Sequence, residues 1–425
     1  MISSTLLFAL SFSLPAADTL GGGSPNDWPQ WRGPNRDGVS KETGLLKKWP
    51  DNGPPVAWKV GGLGGGYSTP SVADGKIFGM SYDGEDEIVW AVSEKDGSKL
   101  WSKKIAAKGK AGHNTGSRST PTIDQDRLYV VGISGDLVCM KTSTGDIVWQ
   151  KNFKTDFNGK MMSGWGFSES VLVDGPNVIC TPGGDKAALA CLNKMDGKTV
   201  WMSEIAGHGG AGYSSIIKAK LGKTTMYATL LGKAGGAVAV NAADGKLLWK
   251  YAKMSNGTAN IPTMLIRDEY VFTATGYGAG AAVLKMKETS SGIDVEEVIF
   301  HPGKTLQNHH GGMVLVGDHV YLGHAHNNGF PTCVEFKTGT IKWQEERGPG
   351  TGSAAIAAAD GMIYLRYQNG VMALIEANPT KYNLVSSFKL PEPSSSPSWP
   401  HPVIANGKLI IRDQEKLMSF DIKAK

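Results

Sequence analysis

The chain has 425 residues, of which 40% are hydrophobic and 20% are charged, and its formal net charge is +5. This is the profile of a soluble globular protein, and the basic residues are dispersed without a run of five or six. Composition therefore favours a solvated surface over a basic patch for nucleic acid or for a membrane surface, and we expect no nucleic-acid partner.

The first 17 residues, MISSTLLFALSFSLPAA, predict a secretion signal. An apolar stretch from Leu6 to Leu14 ends at small residues, and we expect cleavage after Ala17. The stretch is too short to span a bilayer. We therefore predict an exported protein, periplasmic or extracellular, without a transmembrane anchor. Residues 18–53 form an N-terminal extension in this interpretation.

One short pattern recurs along the chain, in SEKDGSKLW, KTSTGDIVW, NKMDGKTVW, NAADGKLLW and EFKTGTIKW. Each copy has Thr or Asp before Gly, and Trp follows the Gly after three residues. The Trp positions recur at intervals of 43–52 residues, one copy lacks its Trp near residues 297–300, and Phe388 takes the place in a further copy. This regularity predicts a structural role for Trp58, Trp101, Trp149, Trp201, Trp249 and Trp343.

The segments between these tryptophans are short runs of apolar, β-branched and aromatic residues separated by Gly and Asp turns. Such runs indicate β-hairpins, and no sustained helical periodicity is present. Four antiparallel strands in about 45 residues are typical of one blade of a β-propeller.

Seven complete sets of strands begin near residues 68, 119, 167, 213, 259, 311 and 353. The C-terminal segment supplies three more strands, and PPVAWKV (54–60) supplies the fourth. We therefore predict an all-β fold over residues 54–425. It is an eight-bladed propeller of four-stranded antiparallel blades, in which the N-terminal strand joins the C-terminal strands and closes the ring.

Four cysteines, Cys139, Cys180, Cys191 and Cys333, occur without a CxxC pair, which excludes zinc-ribbon, thioredoxin-like and c-type haem motifs. Cys180 and Cys191 flank an expected turn. Either they form a cross-strand disulfide, or all four are buried thiols, and the sequence leaves both alternatives open.

The Trp-bearing strand end is similar to the tryptophan-docking motif of propellers related to pyrroloquinoline-quinone (PQQ) dehydrogenases. The stretch DWPQWRGPNRDG (27–38) resembles the start of exported bacterial PQQ-like repeat proteins, and the chain length resembles that of the BamB family. The resemblance implies a propeller whose tryptophans pack between blades. It also implies PQQ and Ca²⁺ as cofactors if the chain is an enzyme.

The chain departs from both known branches. It has no adjacent Cys-Cys pair, no CxxCH haem site and no cysteine after the signal for lipid attachment. No residue pattern by itself demands a cofactor.

In a meander of four strands, the link from the fourth strand to the next blade lies at the same end as the turn between strands two and three. LQNHHGG (306–312) is such a link, and GHAHNNGF (323–330) is such a turn. We therefore expect His309, His310, His324 and His326 on one face, where they are candidate metal ligands. Candidate ligand-binding residues on the same face are His113, Arg118, Trp165, Glu169, His208, Trp399 and His401.

Several of these residues suit a particular chemistry. Glu169 offers the oxygen ligand that Ca²⁺ prefers, Arg118 offers a planar fork for an anion such as a quinone carboxylate, and Trp165 offers a stacking surface.

Two functions from different classes follow. The first is a non-catalytic binding or scaffold module, monomeric, that binds a protein or small-molecule partner on its His-rich face. The alternative is a PQQ- and Ca²⁺-dependent quinoprotein oxidoreductase, similar to an alcohol or sugar dehydrogenase. The missing Cys-Cys pair and the single clear carboxylate favour the first.

Overall fold

The structure is a computed structural model that describes residues 23–112, 114, 116–290 and 292–424. The predicted signal over residues 1–17 and the candidate His113 lie outside the described residues. Within the described ranges, no helix reaches the length and apolarity needed to cross a bilayer.

Two strands precede the first complete blade, β1 (Val39–Ser40) and β2 (Val56–Val60). Blade 1 comprises β3 (Ser71–Ala73), β4 (Lys76–Asp83), β5 (Asp86–Ser93) and β6 (Lys99–Ala107). Blade 2 comprises β7 (Thr122–Asp124), β8 (Arg127–Val131), β9 (Asp136–Lys141) and β10 (Ile147–Asn152), and a short helix, α1 (Phe153–Phe157), follows it. Blade 3 comprises β11 (Leu172–Asp174), β12 (Asn177–Cys180), β13 (Leu189–Asn193) and β14 (Thr199–Ser203). Blade 4 comprises β15 (Ile217–Leu221), β16 (Thr224–Leu230), β17 (Ala237–Asn241) and β18 (Leu247–Tyr251).

Blade 5 comprises β19 (Leu265–Arg267), β20 (Tyr270–Thr275), β21 (Gly280–Thr289) and β22 (Gly292–Pro302). Blade 6 comprises β23 (Met313–Val316), β24 (His319–His324), β25 (Phe330–Glu335) and β26 (Ile341–Gln344), with a 3-10 turn at His326–Asn328. Blade 7 comprises β27 (Ala354–Ala359), β28 (Met362–Tyr367), β29 (Val371–Glu376) and β30 (Leu384–Lys389). Blade 8 comprises β31 (Val403–Ala405), β32 (Lys408–Asp413) and β33 (Lys416–Asp421), and its fourth strand is β2.

The predicted fold is confirmed. Eight sheets of antiparallel strands form the described propeller, and β2 pairs with β33 so that Trp58 lies opposite Ser419 and Val60 opposite Leu417. The two ends of the chain therefore share one blade. This pairing closes the ring, because it supplies the missing outer strand to the last blade.

The hydrophobic core is divided among the contacts between blades. In the described part of the chain, eight buried apolar clusters each lie between two neighbouring blades. Side chains alternate across a strand, so each central strand contributes to the clusters on both sides of its blade. Neighbouring blades are thus held together by burial of apolar area.

The repeated tryptophans connect each blade to the next. Trp149 in β10 donates from Nε1 to the carbonyl of Lys194 in the next blade at 3.0 Å, and its ring covers Gly197. The same bond, at 2.9–3.2 Å, joins Trp58 to Glu94, Trp101 to Thr142, Trp201 to Ala242 and Trp343 to Asn378.

Three positions lack this bond. In blade 7, Phe388 takes the place of the Trp and lies against Gly53. The Nε1 of Trp249 has no acceptor among the described residues. In blade 5, where the repeat has no Trp, Ile299 lies against Gly339 in place of the ring.

The four cysteines are free and buried. Cys180 lies opposite Ala190, whereas Cys191 lies opposite Ile179. The offset of one residue directs the two side chains to opposite faces of blade 3, because side chains alternate along a strand. The alternative of four buried thiols is therefore the correct one.

Part of the N-terminal extension occupies the central channel. Residues 27–40, here called the plug segment, run along the innermost strands: the backbone of Trp28 pairs with that of Val72 at 2.9 Å, and β1 pairs in parallel with β27. Arg36 donates to the carbonyls of Ser170 and Val171 at 2.6 and 3.1 Å.

The plug segment enters and leaves at the face where the first and second strands of each blade are joined. Asp27 accepts from the backbone N–H of Asp74 at 3.0 Å, and Asp360 accepts from that of Leu45 at 3.0 Å. Between these points Trp31 reaches Thr263 near the other end of the channel, with Nε1 2.9 Å from Oγ1. The segment is therefore a loop inserted into the channel from one side.

The docking of an indole on a glycine, seen at Trp58, Trp101, Trp149 and Trp201, yields a prediction. Gly145 has φ +73° and a Cβ there would fall 2.6 Å from Trp101, whereas Gly75 has φ +68° and open space around that position. Both Gly145→Ala and Gly75→Ala carry the cost of a left-handed alanine, about 1–2 kcal/mol. Only Gly145→Ala also displaces the indole, and we expect it to lose a further 1–3 kcal/mol, roughly, in urea unfolding. Equal losses in the two variants would contradict the docking role.

Candidate ligand-binding site

A pocket of about 410 Å³ opens at the end of the channel where the links between blades lie. We call this end the link face. It also carries the turns between second and third strands, so the pocket wall combines residues of the two kinds of loop. Trp31 belongs to the wall, and the plug segment therefore lies directly behind the pocket.

Six side chains form a continuous stack along the pocket, which we call the aromatic column. The ring of His309 lies 3.9 Å from that of His326 and 3.6 Å from that of His310, in both cases with the planes 37° apart. His310 stacks on Trp399 at 4.4 Å, and Trp399 stacks on Tyr67 at 4.6 Å.

The guanidinium of Arg118 completes the column, 5.5 Å from the Tyr67 ring. Its Nη1 donates to the carbonyl of Trp165 at 2.5 Å and its Nη2 to that of Asn114 at 2.7 Å. Burial lowers the pKa of Arg118, and nearby tyrosines, Tyr67 first, oppose that change. The pocket wall therefore presents a cation fixed in position by two loop carbonyls.

Hydrogen bonds hold the column at its histidine end. The Nδ1 of His309 lies 2.9 Å from Oγ of Ser353, and its Nε2 lies 3.0 Å from the hydroxyl of Tyr277. Ser353 Oγ also lies 3.2 Å from Oδ1 of Asn327 and 3.4 Å from Nδ1 of His310. Both ring nitrogens of His309 are thus engaged.

The histidines of the pocket are electrically neutral at neutral pH. Burial lowers the pKa of His309 to about 3, with a further contribution from His326. Burial, followed by the charge of Arg32, lowers the pKa of His401 to about 3. The pKa values of His310 and His326 are also lowered by burial. Neutral imidazoles stack without the repulsion that adjacent imidazolium ions would experience.

Four of the seven predicted ligand-binding residues line the pocket, namely Arg118, Trp165, Trp399 and His401. His208 does not: it is 1% exposed and accepts at Nδ1 from the backbone N–H of Gly210.

Glu169 also departs from expectation. It is 2% exposed and accepts at Oε1 from the backbone N–H of Thr181, while its neighbours Ser168 and Ser170 line the pocket. Successive side chains of an extended chain point in opposite directions, so Glu169 turns away from the pocket. Burial raises its pKa to about 7.

The four predicted metal ligands are divided. His309, His310 and His326 meet in the column, but His324 lies outside the pocket wall and accepts at Nδ1 from the backbone N–H of Gln307. No three His, Cys, Asp or Glu side chains of the described residues are grouped as a metal site requires. The rings stack by their faces, whereas a metal would require ring nitrogens that converge on one point. The geometry therefore favours stacking over chelation.

Sequence reasoning missed Trp31, Tyr67, Tyr213 and Tyr277, all of which line the pocket. Tyr277 lies in the turn between β20 and β21, and its φ of +58° is in the left-handed region. The meander places this turn on the link face, and that placement could have identified Tyr277 as a candidate site residue. The aromatic residue was not distinctive, because tyrosines also occur throughout the strands.

A family model described as outer membrane protein assembly factor BamB matches residues 85–345, which is more than half of the chain. The chain belongs to this family of PQQ-like propellers. A search of curated proteins found no match.

Solved structures with the BamB-family fold cover most of the chain. BamB from Moraxella catarrhalis is 14% identical, with a TM-score of 0.59, and the alignment covers 89% of this chain and 100% of that one. Quinohemoprotein alcohol dehydrogenase from Comamonas testosteroni is 13% identical, with a TM-score of 0.67 and coverage of 94% and 81%. A europium-containing methanol dehydrogenase is 12% identical, with a TM-score of 0.62 and coverage of 92% and 90%. At these identities the similarity establishes the fold alone.

The buried, neutral state of His309 predicts a pH dependence. Its folded pKa of about 3 lies below its ordinary value of 6.5. Between these values the unfolded chain binds a proton that the folded protein does not, so stability falls as the pH falls from about 6.5. We expect wild type to lose about 1–2 kcal/mol more stability than His309→Gln between pH 7 and pH 5.

Denaturant unfolding at the two pH values measures this difference. His319→Gln is the matched control, because His319 begins β24 beside the turn at the opposite face and lies outside the column. Parallel pH dependences for wild type and His309→Gln would contradict the assignment.

Proposed function

We propose that the protein is an exported, monomeric, non-catalytic binding module, and that its link-face pocket binds a small planar molecule against its aromatic wall. The aromatic column carries this proposal. The rings of His310, Trp399 and Tyr67 cover one another's faces, and their remaining surface lines a cavity of about 410 Å³, which lies in the range of small-molecule sites.

The form of the pocket favours a small molecule over a protein partner. It is a concavity with its inner end occupied by the plug segment, as is typical of small-molecule sites, whereas stable protein interfaces bury roughly 1,200–2,000 Å² of surface. Arg118 is the single Lys or Arg among the described residues that line the pocket, and it lies at one end of the column. A planar ligand with one anionic group matches these features.

Export is supported by the apolar N-terminal segment and by the family description, which refers to an outer membrane protein assembly factor. That description also favours a binding role over a catalytic one. The choice between the periplasm and the extracellular space does not affect the pocket.

The alternative is a PQQ- and Ca²⁺-dependent oxidoreductase for an alcohol or sugar, and it is favoured by the fold shared with the dehydrogenases. Ca²⁺ takes six to eight oxygen ligands, usually including carboxylates. None of the described residues that line the pocket is Asp or Glu. The donor set therefore does not fit Ca²⁺, and no reaction step is assigned through PQQ.

Titration calorimetry distinguishes the two functions. We expect 2-naphthoate, a planar anion, to bind in the absence of Ca²⁺, and Trp399→Ala to weaken its affinity at least tenfold, roughly 1.4 kcal/mol, because an aromatic contact in the pocket wall is lost and the column is interrupted. Glu169→Gln is the matched control and should leave affinity unchanged, because Glu169 faces away from the pocket.

The same instrument tests the alternative with PQQ in the presence and absence of Ca²⁺. Binding of PQQ that requires Ca²⁺, is lost in Glu169→Gln and is followed by oxidation of an alcohol or sugar would replace the proposed function by the enzymatic one.

A further inference from the structure

The hydrogen bonds at the histidine end of the column have a direction. Asn327 Oδ1 accepts only, so its contact with Ser353 Oγ uses the single hydroxyl proton of Ser353. Ser353 Oγ must then accept from His309, whose Nδ1 carries the ring proton. The remaining ring nitrogen, Nε2, is unprotonated and accepts from the hydroxyl of Tyr277.

The opposite direction satisfies fewer groups. If Ser353 donated to His309, Asn327 Oδ1 would lose its donor from Ser353, since a hydroxyl has one proton. Of the three contacts that link Asn327, Ser353, His309 and Tyr277, the first arrangement satisfies all three and the reverse satisfies two. In the reverse arrangement, Ser353 Oγ and Asn327 Oδ1 would also face each other at 3.2 Å without a proton between them, which is unfavourable for two acceptor oxygens. His309 is 4% exposed and neutral, so this single tautomer is maintained.

The direction of these hydrogen bonds determines what Tyr277 can offer to a ligand in the pocket. Its hydroxyl proton is committed to His309, and its oxygen retains only lone pairs for a further partner. Tyr277 and His309 both line the pocket, so the bond between them runs along the pocket wall. The ring is held in place by edge contacts with His309 and His326, at 5.0 and 4.7 Å.

Backbone geometry supports a functional position for this side chain. Tyr277 has φ +58° and His326, which it contacts, has φ +52°, both in the left-handed region that non-glycine residues rarely occupy. Such conformations concentrate at ligand-binding and catalytic sites, where surrounding structure maintains them.

We propose that Tyr277 presents a hydrogen-bond acceptor, and not a donor, to the link-face pocket, and that the pocket selects a planar ligand with an N–H or O–H group directed at this oxygen. The proposal rests on the proposed function, because it defines the chemistry of the ligand that the pocket binds. Tyr277 is a specificity-determining residue in this account.

Three probes that share one ring system test the direction of the hydrogen bond. They are 6-hydroxy-2-naphthoate, which offers a donor, 2-naphthoate, which offers neither group, and 6-methoxy-2-naphthoate, which offers an acceptor alone. We expect wild type to bind the hydroxy compound about fivefold more tightly than 2-naphthoate, and the methoxy compound no more tightly than 2-naphthoate. The dissociation constants are measured by titration calorimetry at pH 7.

Variants then test whether this chain of hydrogen bonds causes the preference for the hydroxy compound. Tyr277→Phe should abolish it, whereas Tyr213→Phe should preserve it, since that change removes a phenol hydroxyl from the same pocket without affecting His309. Asn327→Asp should also preserve it, because a carboxylate accepts from Ser353 as the amide oxygen does. The affinity ratio of the probes, and not the affinity alone, is the readout.

The outcomes separate this inference from the proposed function. Equal affinities for the three probes, or tighter binding of the methoxy compound, would overturn the assignment of Tyr277 as an acceptor and leave the binding module intact. Absence of binding by all three would overturn both.

Discussion

The pairing of β2 with β33 is the constraint on which the rest of the structure depends. It places residues 56–60 in the same blade as residues 403–421, and so closes a ring whose blades are otherwise connected only to their neighbours in sequence. Only a closed ring surrounds a channel, and only a surrounded channel can hold the plug segment against the innermost strands of several blades. The pocket follows in turn, since it is the part of the channel that the plug segment leaves open.

Ring closure also explains how the aromatic column is assembled. Its members lie in the links before blades 1, 2, 6 and 8 and in a turn of blade 6, as far apart in sequence as Tyr67 and Trp399. Rigid blades fix where each link begins and ends, so rings from distant segments reach stacking distance. Burial then removes the charge from the histidines. The result is an apolar, polarizable wall built from residues that would be cationic or solvated elsewhere.

The fold could be predicted because every blade meets the same physical requirement. Each needs a large apolar side chain against the next blade. Trp149 and its counterparts recur at that place in the repeat, and Ile299 and Phe388 occupy it in blades 5 and 7. The link-face histidines were predictable for a similar reason, since the alternation of loops between two faces is fixed by the meander.

The remainder of the site depends on details that a repeat pattern does not contain. Glu169 was assigned to the channel mouth, although its neighbours Ser168 and Ser170 occupy that position by simple alternation. Trp31 lies in a segment without periodicity, and its place in the channel arises from the contacts of Trp28 and Arg36 with several blades. The direction of the hydrogen bonds from Tyr277 to Asn327 depends on distances between side chains of four separate loops. A repeat pattern does not contain these distances.

A crystal structure of the protein with 6-hydroxy-2-naphthoate tests the central claim most directly. The account predicts the naphthalene ring in the link-face pocket, in contact with Trp399 and His310, with its hydroxyl within about 3 Å of the Tyr277 oxygen. A ligand bound outside this pocket, or one bound inside it with the hydroxyl directed away from Tyr277, would contradict the account.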